Sequence, residues 1–146
     1  MPNQLSPRDI LDALVGFPTV SRDTNLPLID WVETYLTSHG ITCHRHVKED
    51  DPSKAALFAH VGPDVKGGVV LSGHTDVVPV EGQAWSRDPF KLYRADGRLY
   101  GRGTADMKGF VASALAMATE SGGDVFFDFG ADGTLLVENT SKAALF

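Results

Sequence analysis

Two clusters of residues in this chain have the types and spacing that metal or acid–base chemistry needs. The first is segment 72–79, Ser-Gly-His-Thr-Asp-Val-Val-Pro, in which Asp76 follows His74 by two positions. Side chains two apart on a strand point to the same side, so this carboxylate is placed to orient the imidazole as the partner of a metal-bound histidine does. A histidine held only by local hydrogen bonds is the alternative for this segment taken alone.

The second cluster is segment 101–109, Gly-Arg-Gly-Thr-Ala-Asp-Met-Lys-Gly. Three glycines around a single carboxylate predict a tight loop that opens a helix. Asp106 is then either an ordinary helix N-cap or a ligand for a cation. One carboxylate that bridges two divalent ions is a recurring device in two-metal hydrolysis. We expect Lys108 to be a solvated helix residue.

The elements that must position these clusters follow from hydrophobic periodicity. Apolar residues at helical spacing predict helices over about 7–15, 27–39 and 107–119, with Ser6 as an N-cap and Gly40 as a C-terminal cap. Strands are predicted at 41–47, 55–61 and 69–73, the last buried on both faces, and at 91–94 and 98–101 around an Asp96-Gly97 turn. This order predicts an α/β fold with the sheet between helical layers.

Residues 121–146 have a different character from the rest of the chain. After a Ser-Gly-Gly linker, two short apolar runs at 125–129 and 134–137 predict a hairpin. The hexapeptide Ser-Lys-Ala-Ala-Leu-Phe occurs at 53–58 and again at 141–146, and no physical reason explains the repeat. The apolar end of the chain is typical of a cut edge. We therefore divide the chain into 1–120 and a divergent tail, 121–146.

Composition limits the class of protein and its partners. The 146 residues are 42% hydrophobic with a formal net charge of −6, which favours one soluble domain and disfavours nucleic acid and anionic membrane surfaces as partners. The single cysteine, Cys43, excludes a disulfide framework and a cysteine-rich zinc module. With neither a secretory pattern at the N-terminus nor a long apolar run, we expect a cytoplasmic protein.

Taken together, the two clusters resemble the M20 family of zinc aminoacylases and peptidases. The resemblance covers residues 6 to 119 and rests on segments 73–79, 85–90 and 96–109, which occur in the family's order and separation. It implies a three-layer α/β/α sandwich of the zinc aminopeptidase type, here truncated.

Within the family, three further segments are most similar to the members that deacetylate N-acetylornithine for arginine biosynthesis. They are 17–25, 29–32 and 80–85. The members that remove a succinyl group from N-succinyl-diaminopimelate share the metal motifs and stay open as an alternative.

The resemblance also implies roles for individual residues. His74 ligates one zinc ion, Asp76 orients His74, Asp106 bridges two zinc ions, and the peptide bond between Asp106 and Met107 is cis. The implied reaction is hydrolysis of the amide of a small N-acyl amino acid, with Zn²⁺ or alternatively Co²⁺ as cofactor. For the intact family the resemblance implies a homodimer.

The family places a Glu-Glu pair, which supplies the general base and a ligand, after a strand that follows the bridging aspartate. Glu138 lies 32 positions after Asp106, near that place, but its neighbour is Asn139. Glu138 is therefore either the general base or a surface glutamate. With so few ligands, we expect little or no activity from this chain alone. A non-catalytic fragment or fusion product, or a site completed by a second chain, remain alternatives.

Overall fold

The computed structural model describes residues 3–64, 66–120 and 125–130, and the predicted α/β class is confirmed. The helices are α1 (Pro7–Val15), α2 (Leu26–Ser38) and α3 (Gly109–Glu120). The strands are β1 (Thr42–Val47), β2 (Ala55–Val61), β3 (Val69–His74), β4 (Tyr93–Ala95), β5 (Arg98–Tyr100) and β6 (Val125–Gly130). None of the helices in these ranges has the length and apolar character needed to cross a membrane.

Four strands form the main sheet, in the order β1-β2-β6-β3. The pairs β1–β2 and β2–β6 are antiparallel, whereas β6 runs parallel to β3. The strand predicted at 125–129 is thus present, and it lies inside the main sheet. Its predicted hairpin partner at 134–137, and the second copy of the repeated hexapeptide, lie outside the described residues.

Helices α2 and α3 pack on one face of this sheet, and α1 packs against α3. A hydrogen bond of 3.3 Å between the hydroxyl groups of Tyr35 and Thr119 joins α2 to α3, and β2 alternates buried with half-buried residues. Burial of apolar surface between helices and sheet is the main stabilising term of such a fold. The core includes Ile10, Leu14, Ile29, Val32, Leu36, Leu57, Ala59, Val111 and Leu115. Two of the predicted layers therefore lie within the described residues.

Two predictions about individual elements are wrong. Strand β3 is not buried on both faces: Val69 is 55% exposed and Gly73 is its one buried residue. In the described part of the sheet, β3 has a neighbour on one side only. The third helix begins at Gly109 rather than Met107, because Asp106 and Met107 have non-helical backbone angles.

Three local predictions are confirmed. The Ser6 hydroxyl accepts a hydrogen bond from the Asp9 amide at 3.2 Å and caps α1. Gly40 follows α2 with a φ of +76°. The turn between β4 and β5 has positive φ at Asp96 (51°) and Gly97 (71°), the conformation for which Asp-Gly is preferred in two-residue hairpins.

The thiol of Cys43 on β1 should react slowly while the chain is folded. Burial, and then the nearby Glu33 carboxylate, raise its pKa to about 11. At pH 8 this lowers the thiolate fraction about 200-fold relative to an unfolded chain, and the higher nucleophilicity of a basic thiolate recovers about tenfold. We expect iodoacetamide to alkylate the folded chain about 20-fold more slowly than the urea-unfolded chain, measured by mass spectrometry. Equal rates would contradict the half-buried position of this thiol.

Candidate metal centre

The end of β3 and the loop before α3 meet at one small cavity of about 200 Å³. Its lining includes His74 and Asp76 from the first predicted cluster, Asp106 from the second, and Ser21 from the loop after α1. Ligand sites at strand ends are usual in α/β sheets. The structure thus brings together the two clusters that lie about 30 positions apart in the sequence.

The side chains of His74 and Asp106 contact each other in this cavity. The imidazole Nε2 of His74 lies 2.9 Å from Oδ1 of Asp106. Asp106 is 84% exposed, and His74 is 30% exposed. The peptide bond between Asp106 and Met107 is cis, which confirms what the family resemblance implied. Asp106 is not a helix N-cap here, because α3 begins three residues later at Gly109.

Asp76 lies against the other nitrogen of the His74 ring. The Nδ1 of His74 is 3.1 Å from Oδ1 of Asp76 and 3.0 Å from its backbone oxygen. Because β3 ends at His74, this contact comes from the irregular segment after the strand, not from side-chain alternation along it. The Ser21 hydroxyl donates a hydrogen bond of 2.5 Å to Oδ2 of the same carboxylate.

The electrostatic environment of His74 favours a positive charge. Burial alone would lower its pKa, but hydrogen bonds to Asp106 and to the backbone of Asp76, with the charges of both carboxylates, raise it above its ordinary value. Two carboxylates that converge on one imidazole form a site in which a bound cation is stabilised.

Lys108 does not lie where the sequence predicted. It is 1% exposed, and its ammonium group donates to the backbone oxygens of Leu14 at 2.8 Å and Phe17 at 2.7 Å, beside the C-terminal end of α1. Burial, partly offset by the charge of Asp76, lowers the pKa of Lys108 to about 8. The prediction of a solvated helix residue is therefore wrong, because the irregular turn at 104–108 directs this side chain into the core.

The donor set fits a divalent transition metal in part. Imidazole nitrogen and carboxylate oxygen are ordinary zinc ligands, and a zinc site needs about four ligands including water. Among residues 3–64, 66–120 and 125–130, no group of three or more His, Cys, Asp or Glu side chains is arranged to hold a metal ion. His74 and Asp106 therefore offer two donor groups, fewer than a zinc site needs. Glu138 lies outside the described residues.

Sequence reasoning missed the contribution of the loop at 19–25 to the site, because it used this segment only as part of the family resemblance. Its Val20 forms a parallel bridge with Val77, and its Ser21 contacts Asp76. No local pattern marks these contacts, since the partners are more than 50 positions apart. His44 and His46 are exposed on β1, away from the cavity lining.

Residues 70–124, which contain both clusters, match the model of peptidase family M20/M25/M40. The chain belongs to this family. Its relatives include the acetylornithine deacetylases of Pasteurella multocida (strain Pm70) and Shigella sonnei (strain Ss046). The Pasteurella enzyme is 42% identical over a region that covers 70% of this chain and 28% of the relative. The Shigella enzyme is 38% identical over a region that covers 79% of this chain and 32% of the relative. This M20 chain thus spans about a third or less of the length of either relative.

The fold is also that of known M20 structures. An M20 family metallo-carboxypeptidase from Sulfolobus solfataricus superposes with a TM-score of 0.72 at 20% sequence identity. The superposition covers 86% of this chain and 30% of the other. The likeness confirms the predicted M20-type fold.

Proposed function

We propose that this M20 chain contributes part of a zinc site that hydrolyses the amide of N-acetylornithine. The observation that carries the proposal is the 2.9 Å approach of His74 to Asp106 within the segment that matches the family. The acetylornithine deacetylases at 38 and 42% identity support the substrate. A metallo-carboxypeptidase among the M20 structures supports a metal-dependent reaction.

In this proposal, His74 and Asp106 hold the metal. A bound zinc ion would supply acidification of a water molecule and polarisation of the acyl carbonyl. Asp76 orients the His74 ring through Nδ1 and so leaves Nε2 for the metal. Asp106 would bridge two ions. Glu138 remains the candidate general base.

Metal binding through His74 tests the site. We expect His74→Ala to weaken Co²⁺ or Zn²⁺ binding by the purified chain about 100-fold, because it removes one of two ligands and leaves the Asp106 carboxylate alone. Isothermal titration and the visible spectrum of Co²⁺ measure this. His44→Ala is the matched control, since that histidine is exposed on β1, and it should bind as the unchanged chain does.

The same Co²⁺-loaded chain tests the substrate. N-acetylornithine should change the Co²⁺ spectrum at lower concentration than N-succinyl-diaminopimelate does, and a reversed order would favour the desuccinylase alternative. Metal binding that survives His74→Ala would overturn the site. Because the described residues supply so few ligands, we expect slow or absent turnover by this chain alone.

A further inference from the structure

We propose that Ser21 is a positioning residue: its hydroxyl group holds the Asp76 carboxylate in the orientation that aligns His74 for metal binding. The inference rests on the proposed function, since it concerns the same metal site. It assigns a task to the loop between α1 and α2, which carries none of the predicted ligands. The contacts that support it come from three separate parts of the chain.

The backbone of Ser21 is fixed on both sides. Its amide donates to the Val77 backbone oxygen at 3.0 Å, and its own backbone oxygen accepts from Nζ of Lys54 at 2.8 Å. Lys54 is itself buried, at 8% exposure, and this bond is partly buried. The backbone of Ser21 is therefore held beside the segment that carries Asp76.

Other residues of the loop bind the segment that follows β3 and the first residue of β2. The Thr19 hydroxyl donates to the Thr75 backbone oxygen at 2.6 Å, and the Val77 amide donates to the Thr19 backbone oxygen at 2.9 Å. Asn25, which is fully buried, exchanges hydrogen bonds of 2.8 and 2.9 Å with the backbone of Ala55. The loop is thus hydrogen-bonded at several points to the segment that carries Asp76.

The hydroxyl of Ser21 has one proton to donate. Its two acceptors are Oδ2 of Asp76 at 2.5 Å and the Val77 backbone oxygen at 3.3 Å. A short bond to a charged acceptor is the stronger of the two, so the proton goes to the carboxylate. With Oδ2 occupied, Oδ1 is the oxygen that faces Nδ1 of His74 at 3.1 Å.

This arrangement has a consequence for the metal ligand. A carboxylate free to rotate about its side-chain torsions would contact His74 only part of the time. Held by Ser21, the carboxylate acts together with the Asp76 backbone oxygen, which lies 3.0 Å from Nδ1, to keep the imidazole ring oriented and Nε2 directed toward Asp106. Partners that orient a ligating histidine commonly change metal affinity by about 10- to 100-fold. Ser21 contacts Asp76 and not His74 itself, so we expect its loss to weaken metal affinity by a smaller factor, about fivefold.

The experiment compares two substitutions of nearly equal shape in the 146-residue chain, Ser21→Val and Ser21→Thr. Valine lacks the hydroxyl, whereas threonine keeps it, and Ser21 is exposed, so either side chain fits. Using Co²⁺ as the probe, we expect Ser21→Val to bind about fivefold more weakly and Ser21→Thr to bind as the unchanged chain does. Ser38→Ala, which removes a hydroxyl at the end of α2, is the control for loss of a serine.

A second comparison separates positioning from general support of the loop. In an Asp76→Ala background, Ser21→Val should have no further effect on Co²⁺ affinity, because the carboxylate through which Ser21 acts is gone. Independent losses in the two variants would mean that Ser21 acts by another route, and the inference would be wrong. Equal weakening by valine and threonine would overturn it as well.

The outcome also distinguishes this inference from the proposed function. If His74→Ala abolishes Co²⁺ binding while Ser21→Val leaves it unchanged, the metal site stands and the role of Ser21 is wrong. If the unchanged chain shows no His74-dependent binding of Co²⁺, the proposed function fails and the role of Ser21 fails with it.

Discussion

Replacing Gly103 with alanine should lower the free energy of unfolding by about 3 kcal/mol. Gly103 has a φ of +82°, a conformation that costs an alanine about 1 kcal/mol or more. An added Cβ would also lie 2.5 Å from Cγ1 of Val77. Val77 is 3% exposed and cannot move into solvent, so relief of the overlap requires a shift of backbone and costs about 2 kcal/mol more.

Gly97→Ala is the matched control for this prediction. Gly97 has a similar φ of +71°, but within the described part of the chain no atom beyond its two neighbours lies within 4 Å of the place where its Cβ would be. That variant should lose about 1 kcal/mol, the conformational cost alone. Urea denaturation with a chelator present measures both variants without any contribution from bound metal. Equal losses would show that Gly103 and Val77 are not in contact.

Truncation of Val77 also removes the overlap. In a Val77→Ala background, Cγ1 is absent, and Gly103→Ala should cost only about 1 kcal/mol. The difference between the two backgrounds measures the coupling between the segment that carries Asp76 and the loop that carries Asp106. These two segments supply the carboxylates on either side of His74, so the same measurement reports how firmly the candidate metal centre is assembled.

What the sequence predicted well depends on short-range interactions. The Ser6 cap and the Asp96-Gly97 turn are determined by residues within a few positions of each other. The pair His74 and Asp106 was found by another route, because both lie in segments with a family pattern. Neither route requires knowledge of how distant elements pack.

The features that sequence reasoning missed all depend on long-range packing. Ser21 contacts a residue 55 positions away, and Lys108 contacts one 94 positions away. A lysine next to a helix start is usually solvated, so composition and periodicity favour the wrong environment for Lys108. The exposure of Val69 has the same origin, since an apolar run cannot show which strand lies at an edge.

Lys108→Ala should lower the free energy of unfolding by about 4 kcal/mol. Lys108 is among the largest fully buried side chains of the described residues, and truncation leaves a cavity comparable to that of a buried leucine replaced by alanine. It also removes both hydrogen bonds to the backbone at the end of α1. The exposed Lys91 is the matched control, and Lys91→Ala should change stability by less than about 0.5 kcal/mol.

Lys108→Met separates packing from polar interactions. Methionine keeps most of the buried chain but donates no hydrogen bond, so the loss should be about half, near 2 kcal/mol. The loss stays that small for two reasons: the oxygens of Leu14 and Phe17 each keep a backbone donor, and burial of the ammonium is itself costly.

The balance between these terms decides what Lys108 does. A methionine variant as stable as the unchanged chain would mean that the cost of burying the charge equals the gain from its two carbonyl partners. A clear loss would establish Lys108 as the link that fixes the Asp106 loop to α1, because Lys108 lies two residues after Asp106 and its partners lie at the end of that helix. Urea denaturation of the alanine, methionine and Lys91→Ala variants under one buffer condition provides the comparison.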